Sequence, residues 1–190
     1  MPCYRVVIPY GTALERNTGH IMRFVAQLGC ENADAARRRA VLGFRDLSAA
    51  TGHAGDVELH EQDVLFEETE MRTDVKLEMR ALEVRPTVFG MDLWGPLDSL
   101  TALRLDKEVY RLQRYGAKEL IMDLSQVKPL GTAGLGLLLN LNDRLTLKLV
   151  HVPDAARKMM QTLGLEPTLR LYETYEKALK AKGNTDVGIA

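Results

Sequence analysis

The chain has 190 residues, of which 46% are hydrophobic and 27% charged, with a formal net charge of −1. This composition is normal for a soluble globular protein, and the near-neutral charge gives no field that favours nucleic acid or an anionic membrane surface. No apolar run approaches the roughly 20 residues of a membrane-spanning helix, and the N-terminus lacks a basic-then-apolar signal pattern. We therefore predict a cytoplasmic protein without membrane insertion or nucleic-acid binding.

Residues 1–72 predict a small α/β module of unknown role. Thr12 and Glu15 have the spacing of a capping box, in which two side chains bond unpaired amides at the start of a helix. Alternating apolar residues further on indicate strands. The predicted elements are a strand, two helices and a strand pair, over residues 4–10, 12–29, 32–50 and 57–66.

Residues 73–183 show a second, more regular pattern, and residues 184–190 are predicted to be a disordered tail. Asp98 or Ser99 provides a side chain that can cap the first helix of this region. Pro153 and Gly164 begin and end a later one. The predicted strands cover 75–79, 88–94, 118–124, 147–152 and 169–172, and the predicted helices cover 99–116, 132–145, 153–164 and 173–182.

The stretch from Leu120 to Leu141 joins an apolar strand to an apolar helix through a small polar turn. Thr132 is predicted to begin that helix, with its hydroxyl accepting a hydrogen bond from an unpaired amide of the first turn. The same hydroxyl is a candidate phosphoacceptor. Helical spacing places Leu137 and Leu141 on a different face from the leucines at 135, 138 and 139, so one face can pack on the sheet and the other can meet a partner.

Two short motifs carry a family resemblance. The string Asp123-Leu124-Ser125-Gln126-Val127, a four-residue spacer, and Thr132-Ala133-Gly134-Leu135-Gly136 resembles the signature of the STAS domain, the family that includes bacterial anti-sigma-factor antagonists. Gly95-Pro96-Leu97-Asp98 resembles the turn that these domains place before their first helix. The resemblance implies a sheet of four to five strands with helices packed on it, and it maps the phosphoacceptor to Thr132. Gly131 stands where the family usually has an acidic residue.

The resemblance also implies a function without catalysis. A partner, either an anti-sigma factor or a serine kinase, is expected to bind the turn at Thr132 and the helix after it. The residues assigned to partner binding are Asp98, Gly131, Ala133, Gly134, Leu137 and Leu141. An alternative is a STAS subunit that docks on the ATPase of a lipid-transport ABC transporter, because Thr-Ala-Gly-Leu followed by leucines is also familiar there. The element order of residues 1–72 weakly resembles half of a GHKL-type serine kinase, and an unrelated α/β element fits equally well.

Glycines inside the predicted helix leave two explanations open. Each costs up to about 1 kcal/mol relative to alanine, so Gly134 and Gly136 indicate close approach of something to the helix backbone. That neighbour is either a partner or another part of the same fold.

The sequence offers no arrangement typical of catalysis or metal binding. Ser125 and Thr132 lack the context of a catalytic nucleophile. The aspartates at 92, 98 and 123 are explained by strand ends and a helix cap. Four histidines, at positions 20, 53, 60 and 151, do not have metal-ligand spacing. We therefore predict a protein that is not an enzyme and needs no cofactor or metal.

Overall fold

The computed structural model describes residues 3–11, 22–51, 58–59, 65–69 and 77–181. The strands are β1 (Cys3–Gly11), β2 (Met22–Gly29), β3 (Glu58–Leu59), β4 (Leu65–Thr69), β5 (Glu78–Arg85), β6 (Val88–Leu97), β7 (Glu119–Leu130), β8 (Thr146–Val150) and β9 (Arg170–Tyr172). The helices are α1 (Ala33–Ala50), α2 (Ser99–Arg114), α3 (Thr132–Arg144), α4 (Asp154–Thr162) and α5 (Tyr175–Lys180).

The described strands form one nine-stranded sheet in the order β3-β1-β2-β5-β6-β7-β8-β9, with β4 also paired to β1. Pairing is antiparallel from β1 to β6 and parallel from β6 to β9. The predicted α/β class is confirmed, but the sheet has more strands than the four to five predicted. The difference arises because β2 pairs with β5, placing residues 24–27 opposite residues 79–82.

The described strands of the first 72 residues therefore extend the main sheet instead of forming a sheet of their own. The expected small α/β module is in this respect continuous with the sheet of residues 73–183. The division at residues 72 and 73 stays a prediction, and the predicted tail at 184–190 lies outside the described residues.

Helices cover both faces of this sheet. α2, α3 and α4 pack on one face around residues such as Leu138, and α1 and α5 pack on the other around Phe44. Alternate side chains of β7 enter the two cores, with Met122 on the first side and Ile121 on the second. Within the described residues, no helix combines the length and apolar character needed to cross a bilayer.

One predicted helix is wrong. Residues 22–29 form strand β2, although their apolar positions also fit helical spacing. Phe24, Val25 and Ala26 are consecutive and at most 1% exposed, because helices cover both faces of the strand. A strand buried on both sides lacks the alternation that distinguishes it from a helix. Residues 12–21, including the predicted capping box, lie outside the described part of the chain.

Strand β7 is longer than predicted. The polar residues 125–129 were expected to end the strand near Leu124, yet β7 continues to Leu130. It does so because β6 also continues and pairs with it in parallel, with Leu97 opposite Leu130 after two irregularities in register. The extension brings the end of β7, and the turn after it, beside the start of α2.

Most other predicted elements of the described chain are confirmed with shifts of a few residues, but β5 continues to Arg85, six residues beyond the predicted strand at 75–79. α1 begins after Asn32, whose side chain accepts a hydrogen bond from the Ala35 amide. Of the strand pair predicted over 57–66, the described residues form β3 and the start of β4, and each of these strands pairs with β1. The last helix, α5, is shorter than the predicted 173–182, and Thr174 caps it.

Candidate functional site at the start of helix α3

The turn at Thr132 is held by the neighbouring turn between β6 and α2. The Gly131 amide donates a hydrogen bond to the carbonyl oxygen of Leu97 at 2.9 Å. Asp98, the next residue, caps α2 by accepting hydrogen bonds from the amides of Leu100 and Thr101, both at 3.0 Å. Because two strand ends and two helix starts meet here, the turn has a rigid frame.

Asp98 is confirmed as the helix cap, and its carboxylate is held in the charged state. The pKa of Asp98 is lowered from its ordinary value, chiefly by the hydrogen bond from the Thr101 amide. An ideal Cβ atom at Gly131 would lie 4.0 Å from the Asp98 Cβ atom. Asp98, at the cap of α2, therefore lies against the turn, while Gly131 itself carries no carboxylate.

Thr132 is not the cap of α3, so this part of the prediction is wrong. Gly131 occupies the cap position, and it has no side chain to bond the free amides. Thr132 is the first helical residue and is exposed. Within the described residues, no group forms a hydrogen bond with its hydroxyl. The predicted phosphoacceptor is therefore accessible.

The two helical glycines have different surroundings. An ideal Cβ atom on Gly134 would overlap the Leu97 carbonyl oxygen and lie 2.7 Å from Leu97 Cγ. At Gly136, a Cβ atom would meet no atom within 4 Å. Close packing inside the fold therefore explains Gly134, while nothing in the described fold requires glycine at 136.

Burial divides the residues assigned to partner binding. Ala133 is exposed, and Leu137 is partly buried against the core. Leu141 is 0% exposed, so its assignment to the partner-binding surface is corrected. The buried arc of α3 includes Leu141 beside Leu138 because α2, as well as the sheet, covers this helix.

A polar cluster lies midway along β6 and β7 and just after the end of β8, on the face covered by α1 and α5. Asp92 and Asp123 are neighbours across β6 and β7. His151 Nδ1 lies 2.7 Å from Asp123 Oδ2, and the Tyr175 hydroxyl donates to Asp92 Oδ1 at 2.9 Å. Arg80 lies over the Trp94 ring and within 3.9 Å of Asp92.

Sequence reasoning treated these aspartates and histidines separately. No signal in the sequence joins them, because Asp92 and Asp123 lie inside strands and become neighbours only through the parallel pairing of β6 and β7. The described residues contain no group of three His, Cys, Asp or Glu side chains suited to a metal ion. The histidines at 20, 53 and 60 lie outside the described part of the chain.

Asp92 makes stability depend on pH. Burial raises its pKa from 3.8 to about 6, and nearby Asp123 adds to the rise, against the Tyr175 hydrogen bond and Arg80. The folded protein therefore binds this proton more tightly than the unfolded chain. The resulting stabilisation is complete below about pH 3.8 and is lost as the pH rises through about 6.

We expect Asp92→Asn to raise the free energy of unfolding at pH 7 by about 1–2 kcal/mol, because no charge is then buried. The amide oxygen still accepts the Tyr175 hydrogen bond, but the attraction to Arg80 is lost. Urea denaturation at pH 4.5 and pH 7 measures the effect. Asp46→Asn is the matched control, because this second Arg80 partner is 74% exposed. An Asp92 variant that is less stable than the native protein at pH 7 would overturn the prediction.

Known proteins share the sequence pattern and the fold of this chain. The sequence profile of the STAS domain matches residues 79–178, more than half of the chain. An anti-sigma factor antagonist from Mycobacterium paratuberculosis is 26% identical, with a TM-score of 0.50 over 57% of this chain and 96% of that protein. No match was found among curated protein sequences.

Two further solved structures have lower similarity. A putative anti-sigma factor antagonist from Thermotoga maritima is 17% identical, with a TM-score of 0.47 over 51% of this chain and 88% of that one. The Bacillus cell fate determinant SpoIIAA in its phosphorylated form is 20% identical, with a TM-score of 0.44 over 53% and 96%. On the profile match over residues 79–178, the chain belongs to the STAS domain family.

Proposed function

We propose that this protein is a non-enzymatic regulatory module that binds a protein partner through the turn at Thr132 and the first turns of α3. The observation that carries the proposal is that Thr132 and Ala133 are exposed on a rigidly held turn, with open space over Gly136. The similarity to the mycobacterial anti-sigma factor antagonist supports this class of function. The partner is then an anti-sigma factor or a serine kinase of the bacterial cytoplasm.

Gly136 supports a partner that approaches the helix backbone. Glycine inside a helix costs about 0.5–1 kcal/mol relative to alanine, and the described fold gains no packing from it. Thr132, Ala133 and Gly136 together form a low surface on which a partner's side chains can reach the backbone of α3. We call these three residues the small-residue face.

Phosphorylation at Thr132 is the proposed switch. It adds roughly 1.5 to 2 negative charges to the small-residue face, and a bound partner would have to desolvate them. The N-terminus of α3 tolerates the phosphate electrostatically, so the domain stays folded. The modification therefore releases the partner without unfolding the protein.

A second candidate partner is the ATPase of a lipid-transport ABC transporter. Gly131 favours it, because the turn lacks the carboxylate that usually lies beside the hydroxyl in switched members of the family. In that case Thr132 contacts the ATPase and is never phosphorylated.

Affinity capture from a lysate of the native cell tests the proposal, with the intact chain, Thr132→Ala and Thr132→Asp as baits. We expect Thr132→Ala to recover the partner and Thr132→Asp, which adds one negative charge, to recover at least about tenfold less. Mass spectrometry identifies the partner and any phosphate on Thr132. Equal recovery by both variants would rule out the switch, and an ABC ATPase with unmodified Thr132 would select the second candidate.

A further inference from the structure

Helix α2 presents large apolar side chains to solvent. Leu100, Leu103 and Tyr110 are 60%, 58% and 59% exposed, although the opposite side of the same helix is fully buried in the core. Scattered exposed leucines are normal, but these three lie along one helix beside the small-residue face. Whether they form one surface with the small-residue face depends on how α2 and α3 face each other.

Contacts between α2 and α3 fix how the two helices face each other. The Arg144 guanidinium of α3 pairs with Asp106 and also donates to Gln113 Oε1 of α2 at 2.6 Å. Leu103 and Tyr110 lie three residues before and four residues after Asp106, so they share its side of the helix. This side of α2 faces toward α3.

One side of α3, defined by Arg144, faces α2 in turn. Ala133, Leu137 and Asn140 precede Arg144 by eleven, seven and four residues, so they form one stripe with it. The line along which α2 and α3 meet therefore has Leu103 and Tyr110 on its α2 side and this stripe on its α3 side. It begins at Ala133, in the small-residue face, and ends where Arg144 bridges the helices. We call it the α2–α3 groove.

The far end of the α2–α3 groove is basic. A cavity of about 580 Å³ there is lined by Tyr110 and Gln113 and by the charged residues Asp106, Lys107, Arg111, Arg114 and Arg144. Arg111 pairs with Glu108, and Arg144 pairs with Asp106. In the described part of the chain, no carboxylate lies within ion-pair distance of Lys107 or Arg114. An occupant with its own carboxylates would complement these two cations.

We propose that the α2–α3 groove binds an acidic amphipathic helix of the same protein partner that contacts the small-residue face. Its apolar residues cover Leu103 and Tyr110, and its carboxylates meet Lys107 and Arg114. Helices commonly bind such grooves through apolar residues at i, i+3, i+4 and i+7. The inference rests on the proposed function, because the groove is continuous with that binding surface.

A protein helix fits better than the other ligands of a basic surface. The fully buried side of α2 packs against the sheet. The helix therefore cannot rotate to insert this apolar side into a membrane. The chain's net charge of −1 gives no general attraction for nucleic acid. Exposed leucine beside unpaired cations instead matches a partner with both apolar and acidic side chains.

Site-specific photo-crosslinking in the native cell tests the inference on the full chain. The photoreactive residue p-benzoylphenylalanine replaces Tyr110 in the groove, Ser99 at the exposed start of α2 beside the turn at Thr132, or Leu42 as the control. Leu42 is also a 58% exposed leucine beside arginines, but it lies on α1 across the sheet. We expect the same partner to be crosslinked at Tyr110 and Ser99, through an acidic segment at Tyr110, and no such adduct at Leu42.

The outcomes separate the two proposals. An adduct at Ser99 without one at Tyr110 keeps the proposed function and overturns the groove. A Tyr110 adduct that contains lipid or nucleic acid, or that forms equally at Leu42, also overturns it. Absence of adducts at both Tyr110 and Ser99 contradicts both proposals.

Charge reversal provides the second readout. In the chain with the photoreactive residue at 110, Lys107→Glu with Arg114→Glu should lower the adduct yield about tenfold, because two attractions become repulsions. Lys158→Glu on α4 is the control, as an exposed lysine away from the groove. An unchanged yield would contradict an acidic occupant.

Discussion

Replacing Arg5 by methionine is expected to lower the free energy of unfolding by about 3–5 kcal/mol, because it leaves a buried carboxylate without its main counter-charge. Arg5 of β1 forms an ion pair at 3.1 Å with Glu108 of α2, and their side chains are only 3% and 1% exposed. Gln27 of β2 donates to the same carboxylate at 2.6 Å. Urea denaturation of the full chain measures the loss.

The double variant Arg5→Met, Glu108→Met separates a broken ion pair from lost packing. It should recover much of the loss, because replacing both charges by apolar groups removes the buried carboxylate. Arg39→Met is the matched control, because the Arg39–Glu78 pair at 2.8 Å is 47% and 33% exposed and should contribute at most about 1 kcal/mol. An Arg5→Met loss no larger than the Arg39→Met loss would contradict the prediction.

This ion pair also bears on whether the chain unfolds as one domain or as two. It joins the first described strand to the helix beside the proposed partner surface, across 103 residues of sequence. A large loss within a single unfolding transition of the Arg5 variant would show that the front strands and the STAS region unfold as one unit. Full stability would instead support a separable front module.

Gly134→Ala is expected to lower the free energy of unfolding by about 3 kcal/mol, the second large effect. The added methyl group would overlap the Leu97 carbonyl oxygen and crowd Leu97 Cγ, and backbone and core atoms cannot yield without shifting α3. The shift also displaces Thr132, so partner recovery should fall with stability. Thermal and urea denaturation, with capture of the partner, measure both effects.

Gly136→Ala is the matched control for the glycine at 134. Its methyl group meets no atom within 4 Å, so we expect the fold to gain about 0.5–1 kcal/mol from better helix propensity. If Gly134→Ala were as stable as Gly136→Ala, close contact between α3 and the end of β6 would not explain the glycine.

The sequence predicted the later part of the fold better than the front part. From β5 onward, caps and glycines mark the element ends, as Asp98 does for α2. Strand β2 was missed because a strand covered on both faces has no alternation to read. The length of β7 depends on its pairing with the end of β6, which local patterns do not show.

At the candidate site, the motif located the turn but not the accessibility of each side chain. Thr132 was found, whereas Leu141 proved to be buried because α2 covers that side of α3. Leu103 and Tyr110 were missed because helical spacing predicts which residues share a face, and only packing shows which face remains exposed. The Arg5–Glu108 pair was hidden by its sequence separation.

The central claim is that a protein partner binds the small-residue face, and one pair of variants tests it most directly. Ala133 and Ala155 are both exposed and both second in their helices, α3 and α4. The Kd of the captured partner is to be measured for Ala133→Arg and Ala155→Arg, after denaturation shows that both remain folded. We expect about hundredfold weaker binding for Ala133→Arg, as for a disrupted hot spot, and native binding for Ala155→Arg. Native affinity in the Ala133→Arg variant would contradict the claim.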